Sequence, residues 1–173
     1  MRHFFAFPVP SGFDRGVAWQ MSHAVFPSGL EWVLPINYHL TICFLGETEE
    51  EKLPAIIEKA HALALQFPPF EIVSRVITHY PQKEPNMLWV KFDQSPDFEK
   101  IYESFHREFE IPLRFHGAQP HITLARFPKR KHITYRKHWG GYKLKLDHFH
   151  LMRSARHNEI LRYEPLESFP LKG

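Results

Sequence analysis

Residues 38–45 read Tyr-His-Leu-Thr-Ile-Cys-Phe-Leu, and residues 120–127 read Pro-His-Ile-Thr-Leu-Ala-Arg-Phe. In the first stretch Leu40, Ile42 and Phe44 alternate with His39, Thr41 and Cys43; in the second, Ile122 and Leu124 alternate with His121 and Thr123. A period of two is that of a β-strand with one face on a core. Residues i and i+2 share a face, so each His-x-Thr sets an imidazole beside a hydroxyl while the apolar residue between them anchors the strand from behind. The repeat predicts two similar lobes, each contributing one such strand.

Outward from the motifs, residues 2–7 are aromatic-rich and end at Pro8, which reads as a strand. Residues 11–24 predict a helix with Ser11 as N-cap and an imperfect stripe of Phe13, Val17, Trp19 and Met21. Residues 49–66, acidic at their start, predict a second helix that Pro68 and Pro69 stop. Residues 70–78 and 87–92 read as strands, and residues 95–109 as a helix capped by Ser95 or Asp97. The basic residues 129–138 suggest a short helix, and residues 143–152 and 159–166 two closing strands. That order predicts an α+β fold: one bilobal domain over residues 1–173, with two antiparallel-sheet lobes in pseudo-two-fold relation around a central cleft and helices on the outer faces.

A chain of 173 residues is long enough to bury a substantial core without a staple. Its single cysteine, Cys43, excludes an internal disulfide and a cysteine-built zinc site and suits a reducing compartment, so the cytoplasm is expected. The apolar runs are too short to cross a bilayer and the first residues lack signal-peptide features, which predicts a protein without membrane partners. A net charge of +3 and a pI near 9.0 favour a phosphate-bearing ligand without implying a nucleic-acid-coating tail.

Thirteen histidines raise both proton-transfer and metal chemistry. With thirteen His and five Thr, about 0.4 His-x-Thr matches are expected by chance; three occur. The third, His132 with Thr134, sits among Lys129, Arg130, Lys131 and Arg136 without flanking apolar alternation and reads as a surface segment. Two facing copies of the other motif form a pocket in which Thr41 and Thr123 hold a phosphoryl group while one imidazole takes a proton from water and the other gives one to the leaving oxygen. Neither a metal nor another cofactor is required. A zinc site through His148 and His150 is the chemical rival, but no His-Glu-x-x-His or paired-cysteine motif accompanies it. A serine nucleophile lacks a Gly-x-Ser-x-Gly context.

The chain resembles the 2H phosphoesterases, in particular the RNA 2′,3′-cyclic phosphodiesterases also called 2′-5′ RNA ligases, through residues 2–7, the first motif at 37–47, the second at 120–126 and a closing segment at 154–163. The resemblance implies a cleft with His39 and His121 as catalytic residues, Thr41 and Thr123 on the phosphate, and RNA cyclic-phosphate ends or small nucleotides as ligands; a monomer is expected. It implies water attack that expels O3′ and leaves a 2′-phosphomonoester; we assign His39 as acid and His121 as base, although the symmetry of the two motifs leaves the orientation of the nucleotide, and so the reverse assignment, open in the sequence. Arg126 matches an arginine often seen after the second motif, and its forked donors suit phosphate oxygens. On a straight strand, however, it lies on the face opposite His121, so it reaches the phosphate only where the strand ends or bulges near Ala125. Phe13, Trp19, Trp89 and Tyr38 are candidates to stack on a base. A binding module that keeps the pocket and loses turnover is the alternative, against which the presence of both imidazoles counts.

Overall fold

The computed structural model describes residues 1–26, 28–113, 118–127 and 134–173. The described strands are β1 (Arg2–Pro8), β2 (Glu31–Trp32), β3 (His39–Glu47), β4 (Phe70–Tyr80), β5 (Met87–Phe92), β6 (His121–Arg126), β7 (Arg136–His138), β8 (Lys143–Leu146), β9 (His148–His157) and β10 (Ile160–Pro170). The described helices are α1 (Phe13–Gln20), α2 (Leu53–Ala64) and α3 (Pro96–Glu108). The fold is α+β. Its strands run β10-β9-β1-β3-β6-β5-β4-β7, with β2 beside β6 and β8 beside β4, and every pairing is antiparallel. The lobes expected from the repeat are thus halves of a single hydrogen-bonded sheet, each holding one motif strand. They join narrowly, because β3 and β6 pair only at Leu40 and Ile122 among the described residues.

The core explains which face of each strand is left for chemistry. Phe5 and Phe7 of β1 are fully buried and meet Phe105 and Phe98 of α3 at ring separations of 5.0 and 6.5 Å. Leu40, Ile42, Ile122 and Leu124 belong to the same cluster, as do Ala60, Leu63 and Ala64 of α2. Burying a Phe or Leu side chain contributes about 1.5–3 kcal/mol, enough to set strand register and turn the histidine face away from the helices. Phe4 points the other way, its ring 5.0 Å from those of both His39 and Tyr163.

Several expectations are corrected. Helix α1 starts two residues after Ser11, which makes no cap bond; the N-cap is Gly12 at φ 96, a conformation open to glycine and strained for a residue with a Cβ. Residues 49–66 divide into a 3-10 turn, Glu50–Lys52, and α2, with Pro54 in the first helical turn. Ser95 does cap α3, its Oγ accepting from the Phe98 amide at 3.3 Å. Part of the suggested helix at 129–138 is strand: Arg136–His138 pairs with β4, while residues 128–133 lie outside the described residues. Residues 143–152 break at Asp147 into β8, which pairs with β4, and β9, which pairs with β1 and β10.

Candidate active site

Both motif strands carry a bulge at the same place. Along β1 and β3 the partners step from Ala6 with Thr41 to Phe5 with Cys43, and along β5 and β6 from Trp89 with Thr123 to Leu88 with Ala125. Each motif strand therefore spends two residues against one on its neighbour, which reverses the alternation beyond that point. Burial follows: Ile42 and Cys43 are consecutive and buried, as are Leu124 and Ala125, and Phe44 and Arg126 come to the exposed side. The strict alternation predicted for residues 39–44 fails there, leaving Phe44 46% exposed and Cys43 in the core. The same bulge meets the condition on which Arg126 depended.

His39, Thr41, His121, Thr123 and Arg126 line one cleft of about 310 Å³, together with Phe44, Tyr80, Trp89 and Tyr163. All five residues singled out in the sequence are thereby brought together. Each imidazole is held in the same manner. His39 Nδ1–H donates to the Asn37 carbonyl at 2.7 Å, and His121 Nδ1–H to the Gln119 carbonyl at 2.8 Å. A carbonyl only accepts, so in each ring Nδ1 carries a proton.

The supports behind these carbonyls come from side chains that the motif pattern does not reveal. Buried Asn37 donates through Nδ2 to the Leu161 carbonyl at 2.8 Å and accepts at Oδ1 from the Tyr163 amide at 3.1 Å, tying β10 to the entry of β3. The Tyr163 ring then meets His39 edge-on at 5.0 Å. In the other half, Gln119 Nε2 donates to the carbonyls of Phe92 and Pro120, and Trp89 lies 4.5 Å from the His121 ring with Tyr80 stacked behind it at 4.0 Å. Asn37 stood in the first motif, at 37–47, without a role; Tyr163 ends the closing segment 154–163 and likewise had no role attached to it.

Electrostatics separates His39 from an ordinary histidine. Burial pushes its pKa down to about 4, and the charges of His121 and Arg126 push the same way, against the Asn37 carbonyl, which raises it. The ligand-free ring is therefore neutral near pH 7. Arg126 exerts this effect because it shares the cleft with His39. Of the stacking candidates, Trp89 lines the cleft, Tyr38 lines a neighbouring cavity, Phe13 is fully buried and Trp19 is 78% exposed on α1. His148 Nδ1 is bonded to Asp147 Oδ1 at 2.6 Å, and among the described residues no three His, Cys, Asp or Glu gather as a metal-binding set. His132 and the basic residues 129–131 lie outside the described residues. No described helix is long and apolar enough to cross a membrane.

A sheet with two pinned His-x-Thr strands around one cleft can seat a phosphoryl group between two imidazoles. In fold and sequence the chain is similar to the LigT like Phosphoesterase family, of the 2H superfamily, which matches residues 8–89 and so includes the first motif. Among particular proteins, an RNA 2′,3′-cyclic phosphodiesterase of Thermus thermophilus is 29% identical over 100% of this chain and 91% of its own length. One from Thermotoga maritima is 31% identical over 57% of this chain; there the match spans only 54% of the relative. The crystal structure of TT0787 from Thermus thermophilus superimposes with a TM-score of 0.84 at 29% identity, covering 100% of this chain and 99% of that one.

Proposed function

We propose that the chain is an RNA 2′,3′-cyclic phosphodiesterase that opens cyclic-phosphate ends, or small cyclic nucleotides, to 2′-phosphomonoesters by metal-independent acid/base catalysis. The observation that carries this reading is the pair of imidazoles in one cleft, each fixed through Nδ1 on a backbone carbonyl and each with a threonine two residues on. Thr41, Thr123 and Arg126 bind the non-bridging oxygens, Arg126 as a charge-assisted donor. His121 Nε2 removes a proton from water as its oxygen bonds to phosphorus, and His39 Nε2–H gives a proton to O3′ as the P–O3′ bond breaks. The product keeps the P–O2′ bond. His121 then loses its proton and His39 regains one from solvent. A 5′-hydroxyl in place of water gives a 2′-5′ phosphodiester by the same transfers, which is the ligase direction. Every group belongs to one chain, so a monomer suffices.

The test is incubation with nucleoside 2′,3′-cyclic phosphates in excess chelator, with products compared to 2′- and 3′-monophosphate standards. The 2′-phosphate should form, and His39→Ala or His121→Ala should lower turnover on the order of 10²–10⁴-fold while circular dichroism stays unchanged. Activity that vanishes in chelator and returns with zinc or manganese would reject the metal-free mechanism. A 3′-phosphate product would reverse the orientation of the nucleotide. Binding without turnover would support the binding-module alternative.

A further inference from the structure

Beside the catalytic cleft lies a second cavity of about 530 Å³, and His39 and Tyr163 line both. Its walls come from the exit of β1, the 3-10 turn Pro35–Asn37, and β9 and β10, where Pro8, Val9, Ile36 and Tyr38 give it an apolar and aromatic character. Its polar groups differ in kind from those of the cleft. Among the described residues no lysine or arginine is in its lining, whereas the cleft has Arg126. Asp14 lines it, and that carboxylate, after burial, helps to raise the pKa of the Tyr38 hydroxyl, which therefore stays protonated as a donor. His150 also lines it; burial and then the neighbouring His148 charge lower the pKa of that ring, against the Glu167 backbone, which raises it, and its Nδ1 is buried with no hydrogen-bond partner among the described residues.

A phosphate would meet Asp14 there with no cation to offset the repulsion. A nucleobase suits the walls better, having apolar faces for Tyr38 and the prolines and a polar edge for Asp14, Tyr38 and His150. The proposed acid role of His39 places the ribose that carries O3′ next to this ring, and because His39 also lines the second cavity, that cavity adjoins the ribose from which an RNA strand continues 5′. We infer that the second cavity is the subsite for the penultimate nucleoside, the one 5′ to the cyclic-phosphate nucleotide, and that the chain selects RNA ends over free cyclic nucleotides. This rests on the phosphodiesterase reading above.

Three substrates test it: adenosine 2′,3′-cyclic phosphate, the same nucleotide with a 5′-phosphate, and the adenylyl dinucleotide ending in a 2′,3′-cyclic phosphate. The dinucleotide should exceed the other two in kcat/KM on the order of tenfold, mainly through KM, the gain expected of one added base contact. Ile36→Glu, at a position 72% exposed and thus without a packing role, adds a second carboxylate at the rim. It should abolish the dinucleotide advantage and leave the mononucleotide rates near wild type. Equal kcat/KM for mononucleotide and dinucleotide would overturn the subsite, as would a 5′-phosphorylated mononucleotide that matches the dinucleotide. So would an Ile36→Glu variant that lost all substrates in proportion. Failure to turn over any of the three would instead overturn the phosphodiesterase reading on which the subsite stands.

Discussion

At the scale of single residues, Arg126 links sequence, backbone and electrostatics most directly. Its charge is one cause of the low His39 pKa, and its proposed ligand is the phosphate that lies between the two histidines. Replacement by Ala should then have two effects of different sign. Removal of a charge-assisted phosphate contact should reduce kcat/KM on the order of 10- to 100-fold. Removal of a neighbouring positive charge should raise the His39 pKa above its present value of about 4, measurable from the ring resonances in a proton NMR titration. Arg126→Lys keeps a charge but not the forked donor geometry, so it should restore the low pKa more fully than the activity. An Arg126→Ala variant with wild-type kcat/KM would remove this residue from the phosphate site.

At the scale of elements, the motifs were legible because a strand of period two leaves a direct trace: Leu40 and Ile122 in the core, His39 and His121 off it. The bulges were not legible, since one extra residue in a strand leaves both sides of it reading as regular alternation, and only the partner strand shows the step at Ile42 and Leu124. Supports drawn from elsewhere in the chain were hidden for a similar reason. Asn37 lies two residues before His39 in every reading of the sequence, yet its task depends on β10, whose Leu161 and Tyr163 it binds across more than a hundred residues. Asn37→Ala should unfold about 1–3 kcal/mol more easily, because two backbone groups lose their buried partner. Its kcat should fall more than its KM rises, as the Asn37 carbonyl and the Tyr163 ring that orient His39 lose their fixed positions. Chemical denaturation and steady-state kinetics on the same variant separate the two effects. A loss of stability with kcat unchanged would make Asn37 a structural residue without a positioning role.

At the scale of the whole molecule, His39 ties the cleft to folding stability and to ligand binding through one proton. In the unfolded chain the ring titrates near its ordinary 6.5, whereas in the fold it stays neutral down to about 4. Between those values the unfolded state binds more protons, so stability rises with pH across the window: the full contribution is present above about pH 6.5, is lost progressively on acidification, and is gone below about pH 4. The loss is at most about 3 kcal/mol, since each pKa unit is worth about 1.4 kcal/mol and the ring keeps some access to solvent. An acid catalyst must nonetheless be protonated, and the anionic phosphodiester is the group able to raise the His39 pKa on binding. Binding at neutral pH should therefore draw up to about one proton from solvent. Calorimetry of a cyclic nucleotide binding to His121→Ala, which retains His39 and lacks the base, reads this directly from the dependence of the heat on buffer ionisation enthalpy. Uptake should be present there and absent from the variant that also carries His39→Asn. Binding without proton uptake would leave His39 neutral in the complex, and His39 would then be the base and His121 the acid.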